Sequence, residues 1–121
     1  MRKSQAWRIL IVEDDPIIAI MMEDMLHELG CAVVGPTGIV GTALKLIASV
    51  PIDGAVLDWN LGETNSWPVA EELLCRGTPF VFSTGYVIAG VAAPFDGIPI
   101  LAKPYDVKAL TQALIPLLRR G

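Results

Sequence analysis

Carboxylates, a hydroxyl and an amine stand directly after four short apolar runs of the chain. One run ends in Asp58, and an earlier run leads into the adjacent pair Glu13 and Asp14. Two later runs lead into Thr84 and Lys103. In open α/β sheets, functional sites gather in the crevice beyond the carboxyl ends of the strands. If the four runs are strands of one such sheet, these five side chains converge on one edge of it.

This set of side chains has the composition of a phosphoryl-transfer site. Three carboxylates in one crevice repel one another unless a cation lies among them, and oxygen-only ligands suit Mg²⁺. Mg²⁺ and Lys103 together can neutralise a phosphoryl group that arrives at Asp58, while Thr84 donates its hydroxyl to one of the phosphoryl oxygens. Aspartate is an established nucleophile in the formation of aspartyl phosphates. The residue types therefore predict phosphoryl acceptance on Asp58 with Mg²⁺ as the cofactor.

Apolar runs alternate with amphipathic stretches along the chain, which predicts an α/β fold. Runs of about four to eight apolar residues are typical of parallel strands that are covered on both faces. Five such runs, separated by helical segments, predict a five-stranded parallel sheet with helices on both faces. Right-handed crossovers favour the flavodoxin-like strand order 2-1-3-4-5. The predicted strands are residues 8–12, residues 31–36, the run that ends at Asp58, residues 78–85 and residues 98–102.

The first predicted helix has clear start and stop signals. Asp15 is a suitable N-cap, Pro16 fits the first helical position, and Gly30 is the stop. Ile17 and Ile20 fall outside the apolar arc of this helix, and exposed apolar residues beside a reactive site suggest a docking surface for a protein. The predicted core side of the helix consists of Ile18, Met22, Met25 and Leu29, flanked by Met21 and Leu26.

The other helical segments differ in how well their ends are marked. Thr37 is predicted to cap the second helix, and Gly77 to end the third. Asp106 is predicted to cap the last helix, and Pro116 to kink or end it near residues 113–115, because proline lacks a backbone N–H. Residues 86–97 are interrupted by two glycines and a proline, so we expect at most one short, irregular helix there.

Composition limits the class of protein. The chain has 121 residues, which suits one domain over residues 1–121 with a core from about 8 to 119. Its net charge of −4 and its lack of a Lys/Arg cluster argue against nucleic-acid binding. Although 53% of the residues are hydrophobic, no apolar block approaches the roughly 18 residues of a membrane span, and no signal peptide is apparent. We therefore expect a cytoplasmic protein that binds neither nucleic acid nor membrane.

The cysteines and the single histidine carry no metal or redox signal. Cys31 and Cys75 stand far apart without Cys-x-x-Cys spacing, so both are predicted to be reduced, buried thiols. His27 points away from the apolar face of the first helix and is predicted to be a solvated surface residue rather than a ligand.

The residues after strands one, three, four and five match a known signature: the acidic pair Glu13-Asp14, then Asp58, Thr84-Gly85 and Lys103-Pro104. In these motifs the sequence resembles the receiver domain of two-component response regulators, over essentially its whole length. The resemblance implies that Asp58 is the phosphoacceptor and that Thr84 and Lys103 hold the phosphoryl group. It also implies self-phosphorylation and self-dephosphorylation that depend on Mg²⁺, in a protein that is not otherwise an enzyme.

The same resemblance implies how the cofactor is bound. In such domains Mg²⁺ is bound by the residues that correspond to Asp14, Asp58 and the backbone carbonyl of Asn60, while Glu13 acts through water. The Lys-Pro peptide bond after the fifth strand is typically cis in this family. No cofactor other than Mg²⁺ is expected.

One position departs from the pattern of most receivers. They commonly carry Tyr or Phe on the fifth strand as a rotating switch, and the corresponding residue here is Ile100. Residues 82–86 are instead similar to the Phe-Ala-Thr-Gly-Gly/Tyr signature of a bacterial subgroup that lacks this aromatic and partners with a distinct group of histidine kinases. Ser83 replaces the alanine of that signature. Tyr86 is a candidate substitute for the missing aromatic, and phosphorylation is expected to cause an order–disorder change in residues 86–97.

A stand-alone receiver is the main interpretation, because no effector domain follows Gly121. Its expected partners are a histidine kinase or histidine phosphotransfer protein and an unidentified downstream protein. The competing enzyme hypothesis is a Mg²⁺-dependent phosphatase of the haloacid-dehalogenase type, but that class needs Asp-x-Asp on the first strand and a cap insertion, and this chain has neither. A third hypothesis, a receiver-like module that binds without phosphorylation, would require a missing site residue, and none is missing.

Overall fold

A computed structural model describes residues 6–62, 64–84, 97–103 and 105–120 of the chain. Tyr86, nearly all of the segment expected to be irregular, and the proline of the Lys-Pro bond lie outside the described residues. In chain order the elements are β1 (Arg8–Val12), α1 (Pro16–Glu28), β2 (Ala32–Thr37), α2 (Val40–Ser49), β3 (Gly54–Asp58), β4 (Asn60–Leu61), β5 (Thr64–Asn65), α3 (Trp67–Arg76), β6 (Phe80–Thr84), β7 (Ile100–Ala102) and α4 (Val107–Arg120).

Five of these strands form one parallel sheet in the order β2-β1-β3-β6-β7. Because β6 and β7 are the fourth and fifth predicted strands, this is the predicted order 2-1-3-4-5, and the fold is flavodoxin-like. β2 contains Pro36 and lies at an edge of the sheet, where the missing N–H of proline is tolerated. β4 and β5 form a separate antiparallel pair between β3 and α3.

Hydrophobic cores lie on both faces of the sheet. Side chains of β1 alternate between them: Leu10 and Val12 pack on one face, Ile9 and Ile11 on the other. The first core is shared with residues of α2 and α3, and the second with residues of α1 and α4, so helices cover both faces as predicted. Every residue of β3 is buried, which places Asp58 at the point where this strand leaves the core.

Three predicted helix ends are confirmed by their hydrogen bonds or backbone angles. Oδ1 of Asp15 accepts from two N–H groups in the first turn of α1, at 2.9 and 3.2 Å. Gly77 ends α3 in the left-handed conformation, with φ at 71°. At the start of α4, Oδ1 of Asp106 accepts from the Ala109 N–H at 2.9 Å.

None of the helices in the described part of the chain is long and apolar enough to cross a membrane.

Pro116 was predicted to kink or end the last helix near residues 113–115, and the helix does not end there, because α4 continues to Arg120. Proline removes one N–H donor and strains the turn before it. However, the apolar stripe continues beyond the proline, and Leu110, Leu114 and Leu118 are all buried in the second core. Burying a leucine side chain is worth about 1.5–3 kcal/mol, and Leu118 can be buried in this stripe only if the helix continues.

Proline and a local hydrogen bond shift three predicted boundaries. The predicted fourth and fifth strands began earlier, but β6 starts directly after Pro79 and β7 directly after Pro99, since a proline has no N–H for the ladder. α2 begins later than expected. Thr37 belongs to β2, and its Oγ1 accepts from the Ile39 N–H at 3.2 Å without capping the helix.

The cysteines and the histidine are placed mainly as predicted. Cys31 is buried and His27 is exposed. Cys75, predicted to be buried, is exposed instead, because it lies on the outer side of α3 while Leu73 and Val69 occupy the side that packs on the sheet. Both thiols are free.

Candidate functional site

The carboxyl ends of four neighbouring strands bring the predicted site residues together. β1, β3, β6 and β7 are neighbours and run parallel, so their last residues lie along one edge of the sheet. Glu13 and Asp14 follow β1, Asp58 ends β3, Thr84 ends β6, and Lys103 follows β7. Glu13, Asp58 and Thr84 retain only 3%, 7% and 1% of their surface exposure, whereas Asp14 is exposed.

Lys103 lies between two of the carboxylates. Its Nζ is 2.5 Å from Oε1 of Glu13 and 3.2 Å from Oδ2 of Asp58. Its backbone N–H donates to the carbonyl of Thr84 at 2.8 Å. Burial disfavours the ammonium, but the hydrogen bond to Glu13 and the charge of Asp58 outweigh burial and raise the pKa of Lys103. The lysine is therefore held as a cation directly beside Asp58.

Both carboxylate oxygens of Glu13 accept hydrogen bonds. Oε1 accepts from Lys103, and Oε2 accepts from the backbone N–H of Asp15 at 3.1 Å. Burial raises the pKa of Glu13, the hydrogen bond from Lys103 lowers it, and the neighbouring Asp58 raises it, with a net upward direction. Lys103 is therefore the main neighbour that favours the charged form of Glu13.

Asp14 is packed against the loop between β2 and α2. A β-carbon at position 38 would lie 2.6 Å from Cα and 2.8 Å from Cβ of Asp14, so only glycine fits there without displacing Asp14. One residue earlier, the carbonyl of Thr37 accepts from the Glu13 N–H at 2.9 Å. Local sequence patterns do not reveal this role of Gly38, because the contact joins two parts of the chain that are distant in sequence.

Carboxylate oxygens of Glu13, Asp14 and Asp58 form a cluster with the composition of a Mg²⁺ site. One oxygen from each residue lies within 4.8 Å of the other two. The donors are all oxygen, which hard divalent cations prefer, and three carboxylates face the single positive charge of Lys103. These residues therefore fit a cation of the Mg²⁺ type.

Asn60, the fourth predicted metal ligand, begins β4 and pairs with Asn65 of β5. The chain between these strands includes Gly62, where a β-carbon would lie 3.7 Å from Oδ2 of Asp14. The chain after Asp58 therefore folds back toward the acidic pair, and Asn60 belongs to the segment that does so.

Ser83 and Tyr105 form a hydrogen bond that the sequence did not predict. Ser83 is fully buried in β6, and its Oγ donates to the Tyr105 hydroxyl at 3.3 Å. Burial raises the pKa of Tyr105. Serine in place of the alanine of the similar signature was the available signal, because a hydroxyl on a buried strand needs a hydrogen-bond partner.

Ile100, at the position of the expected switch aromatic, begins β7 and is 43% exposed.

Three exposed apolar side chains belong to α1, the helix that starts two residues after Asp14, and we call them the α1 patch. Ile17, Ile20 and Met21 are 70%, 58% and 49% exposed. The exposure of the two isoleucines was predicted, whereas Met21 was expected to pack against the core. The buried stripe of α1 instead runs through Met22 and Leu26, so Met21 faces solvent beside it.

Comparisons with known proteins identify the family. No protein-family model and no curated protein sequence matches the chain. Among solved structures, the chain is 44% identical to SdrG from Sphingomonas melonis Fr1, with a TM-score of 0.82 over 93% of this chain and 97% of that one. It is also 44% identical to the BeF3-activated conformation of SdrG from Pseudomonas melonis Fr1, with a TM-score of 0.79 over 95% and 98% of the two chains.

Two more distant structures share the fold. The REC domain of the PhyR response regulator from Erythrobacter litoralis is 20% identical, with a TM-score of 0.81 over 96% of this chain and 92% of that chain. The response regulator TrrA from Thermotoga maritima, solved in complex with Mg(2+)-BeF, is 22% identical, with a TM-score of 0.80 over 92% and 98%. The identity to SdrG over nearly all of both chains goes beyond a shared fold, and SdrG is a response regulator receiver domain. The chain therefore belongs to the receiver domains of two-component response regulators.

Proposed function

We propose that this receiver domain accepts a phosphoryl group on Asp58. One observation carries the proposal: Asp58 is buried at the end of β3, with Nζ of Lys103 3.2 Å from its Oδ2 and two further carboxylates in the same cluster. The arrangement combines a nucleophile with a fixed cation for the phosphoryl oxygens, which are the parts that transfer to an aspartate needs.

In the proposed step, a carboxylate oxygen of Asp58 forms a bond to phosphorus while the bond between phosphorus and the donor breaks. With a phosphohistidine donor, the imidazole nitrogen keeps the electron pair of the broken P–N bond. The Lys103 ammonium and the Thr84 hydroxyl then donate to oxygens of the phosphoryl group. Because Glu13 already holds Lys103 beside Asp58, this cation is in position before the donor arrives.

We infer that Glu13, Asp14, Asp58 and the backbone carbonyl of Asn60 hold Mg²⁺ next to the acceptor oxygen, with Glu13 acting through water. Bound Mg²⁺ supplies neutralisation of the negative charge on the transferring phosphoryl group. The inference is supported by the all-oxygen cluster, whose members lie within 4.8 Å of one another, and by the Mg(2+)-BeF complex of TrrA. We therefore expect a chelator to prevent phosphorylation.

We propose that a cytoplasmic histidine kinase or histidine phosphotransfer protein docks on the α1 patch. α1 starts immediately after the acidic residues, so a partner that covers Ile17 and Ile20 can bring its phosphohistidine to Asp58. Exposed apolar residues beside a reactive site are typical of a protein interaction surface. The phosphorylated domain would then act on a downstream protein through a change in conformation.

Intact-mass measurement after incubation with Mg²⁺ and acetyl phosphate tests the proposal. We expect one added phosphoryl group on the wild-type chain and none on Asp58→Ala, with the same circular dichroism spectrum for both. Labelling of a second receiver domain in the same tube is the positive control. An unmodified wild-type chain beside a labelled control, or equal labelling of Asp58→Ala, would refute Asp58 as the acceptor.

A further inference from the structure

The backbone around Lys103 is attached to β6 on one side by the sheet. Ala102 is paired with Thr84, and the Lys103 N–H donates to the Thr84 carbonyl at 2.8 Å. β7 ends at Ala102, so Tyr105 lies beyond this ladder. Contacts of Tyr105 can therefore affect the position of Lys103 in addition to its ion pairs with Glu13 and Asp58.

Tyr105 provides an attachment on the other side of the lysine. Its hydroxyl accepts from Oγ of Ser83, which is fully buried and directly precedes Thr84. Lys103 is thus flanked by two links to the end of β6, one through its own N–H and one through the Tyr105 side chain.

Tyr105 also borders a space into which its ring can move. A cavity of about 150 Å³ is lined by Ile18, Met21, Met22, Met25, Lys103 and Tyr105. Apart from Lys103 and Tyr105 itself, its lining residues are apolar. Among the described residues, Ser83 is the hydrogen-bond partner given for the tyrosine hydroxyl. The hydrogen bond to Ser83 is therefore the directional contact that fixes the ring against the strand, and a change in the ring position would be transmitted to Lys103, two residues away.

We propose that Ser83 is a positioning residue that acts through Tyr105 to hold the Lys103 ammonium between Glu13 and Asp58. This rests on the proposed function of Lys103, which is to bind the phosphoryl group. Ser83 itself does not contact the phosphoryl group in this role.

The variants Ser83→Ala, Tyr105→Phe and their combination test the proposal. Alanine is the residue of the similar signature at position 83, and phenylalanine retains the ring at position 105, so all three proteins should fold. Ser66→Ala is the matched control, because Ser66 is also fully buried but its Oγ has no hydrogen-bond partner among the described residues.

Affinity for beryllofluoride, a phosphoryl mimic, is measured at saturating Mg²⁺. Each single variant is expected to weaken binding about three- to tenfold, which is the range for one hydrogen bond, while Ser66→Ala leaves it unchanged. The double variant should bind no more weakly than either single variant, because the two groups act as one unit. Additive losses, or wild-type affinity in both single variants, would overturn the proposal.

Hydrogen exchange of the Lys103 ammonium, followed by NMR without any phosphoryl mimic, tests the positioning directly. We expect faster exchange in Ser83→Ala and Tyr105→Phe than in the wild type and Ser66→Ala. Unchanged exchange in both variants would overturn the proposal even if their stability falls, since that result means a purely structural role. If the wild type fails to bind beryllofluoride, the proposed function fails, and this exchange measurement still decides whether Ser83 positions Lys103.

Discussion

Two aspartates stand at opposite ends of the same buried strand, since Asp53 directly precedes β3 and Asp58 ends it. Oδ2 of Asp53 accepts from the backbone N–H of Arg8 at 2.8 Å, and the Asp53 N–H donates to the Arg8 carbonyl at 2.8 Å. Asp53 therefore joins β1 to β3. Asp58 contacts the Lys103 ammonium and shares its edge with other carboxylates.

The difference arises from the neighbours at each end of the sheet rather than from the strand itself. At the amino end, backbone groups satisfy the aspartate, which suits a structural role. At the carboxyl end, the carboxylates of Glu13 and Asp58 share one lysine, which leaves negative charge that a cation can neutralise. The same residue type on one strand is thus suited to structure at one end and to chemistry at the other.

The largest expected difference is between two single variants, in which either Asp58 or Asp53 is replaced by alanine. Asp58→Ala should abolish labelling by acetyl phosphate without lowering stability, because it relieves carboxylate repulsion. Asp53→Ala should lower the free energy of unfolding by about 1–3 kcal/mol, the cost of leaving a backbone donor unpaired, and should still be labelled. Intact mass and urea denaturation measure the two properties. A folded Asp53→Ala protein that cannot be labelled would contradict the division between the two ends.

Lys103→Met is expected to have the next largest effect. Loss of a fixed donor to the phosphoryl oxygens should slow labelling about 10²-fold. Loss of the partner of a buried carboxylate should lower stability by roughly 3 kcal/mol near neutral pH. Arg8→Met is the control at the other end, because the Arg8 side chain donates to the Pro51 carbonyl in an exposed hydrogen bond. It should change labelling little.

The stability of Lys103→Met should also depend on pH in a defined direction. Burial already raises the pKa of Glu13, and the hydrogen bond that lowers it is lost with the lysine. A carboxyl group whose pKa is higher in the folded than in the unfolded state favours folding at low pH, and this contribution is lost as pH rises through the folded pKa. The destabilisation should therefore shrink when urea denaturation is repeated at lower pH. A loss of stability in Lys103→Met that is the same at pH 7 and at pH 5 would show that Lys103 does not stabilise the charged form of Glu13.

Gly38→Ala should have a smaller effect, directed at the metal rather than the acceptor. The added β-carbon must displace Asp14, so we expect Mg²⁺ affinity to fall about tenfold, as for other residues that orient metal ligands. Mg²⁺ titration followed by tryptophan emission measures this, since Trp59 adjoins Asp58. Gly41→Ala is the matched control, because it also replaces a glycine with alanine. Gly41 lies in α2, and a β-carbon there would meet nothing within 4 Å. Equal Mg²⁺ affinity in both variants would exclude a positioning role for Gly38.

Features that depend on neighbouring residues could be predicted from the sequence. The bounds of β1, the Asp15 cap and the Gly77 stop follow from local patterns, and the sheet order follows from the alternation of strands and helices. The convergence of site residues could also be predicted, because parallel strands bring their carboxyl ends to one edge.

Features that depend on contacts between distant parts of the chain could not be predicted. The fit of Gly38 against Asp14 and the bond from Ser83 to Tyr105 exist only once the strands are packed. The continuation of α4 through Pro116 has the same origin, since burial of a later leucine outweighs the local cost of proline. Local sequence shows which structure a segment favours by itself, but packing against the rest of the chain decides which structure it adopts.

The smallest expected effect concerns where a partner docks at the carboxyl end. Ile17→Asp and Ile20→Asp alter residues of the α1 patch, which are exposed, so stability should change little. Each should slow phosphoryl transfer from a phosphohistidine protein about fivefold, roughly 1 kcal/mol for one interface residue, and leave labelling by acetyl phosphate unchanged. Ile39→Asp is the control, because Ile39 is 66% exposed at the same end of the sheet but outside the patch. Slower transfer in Ile39→Asp, with normal transfer in both patch variants, would place the docking surface on the α2 side instead.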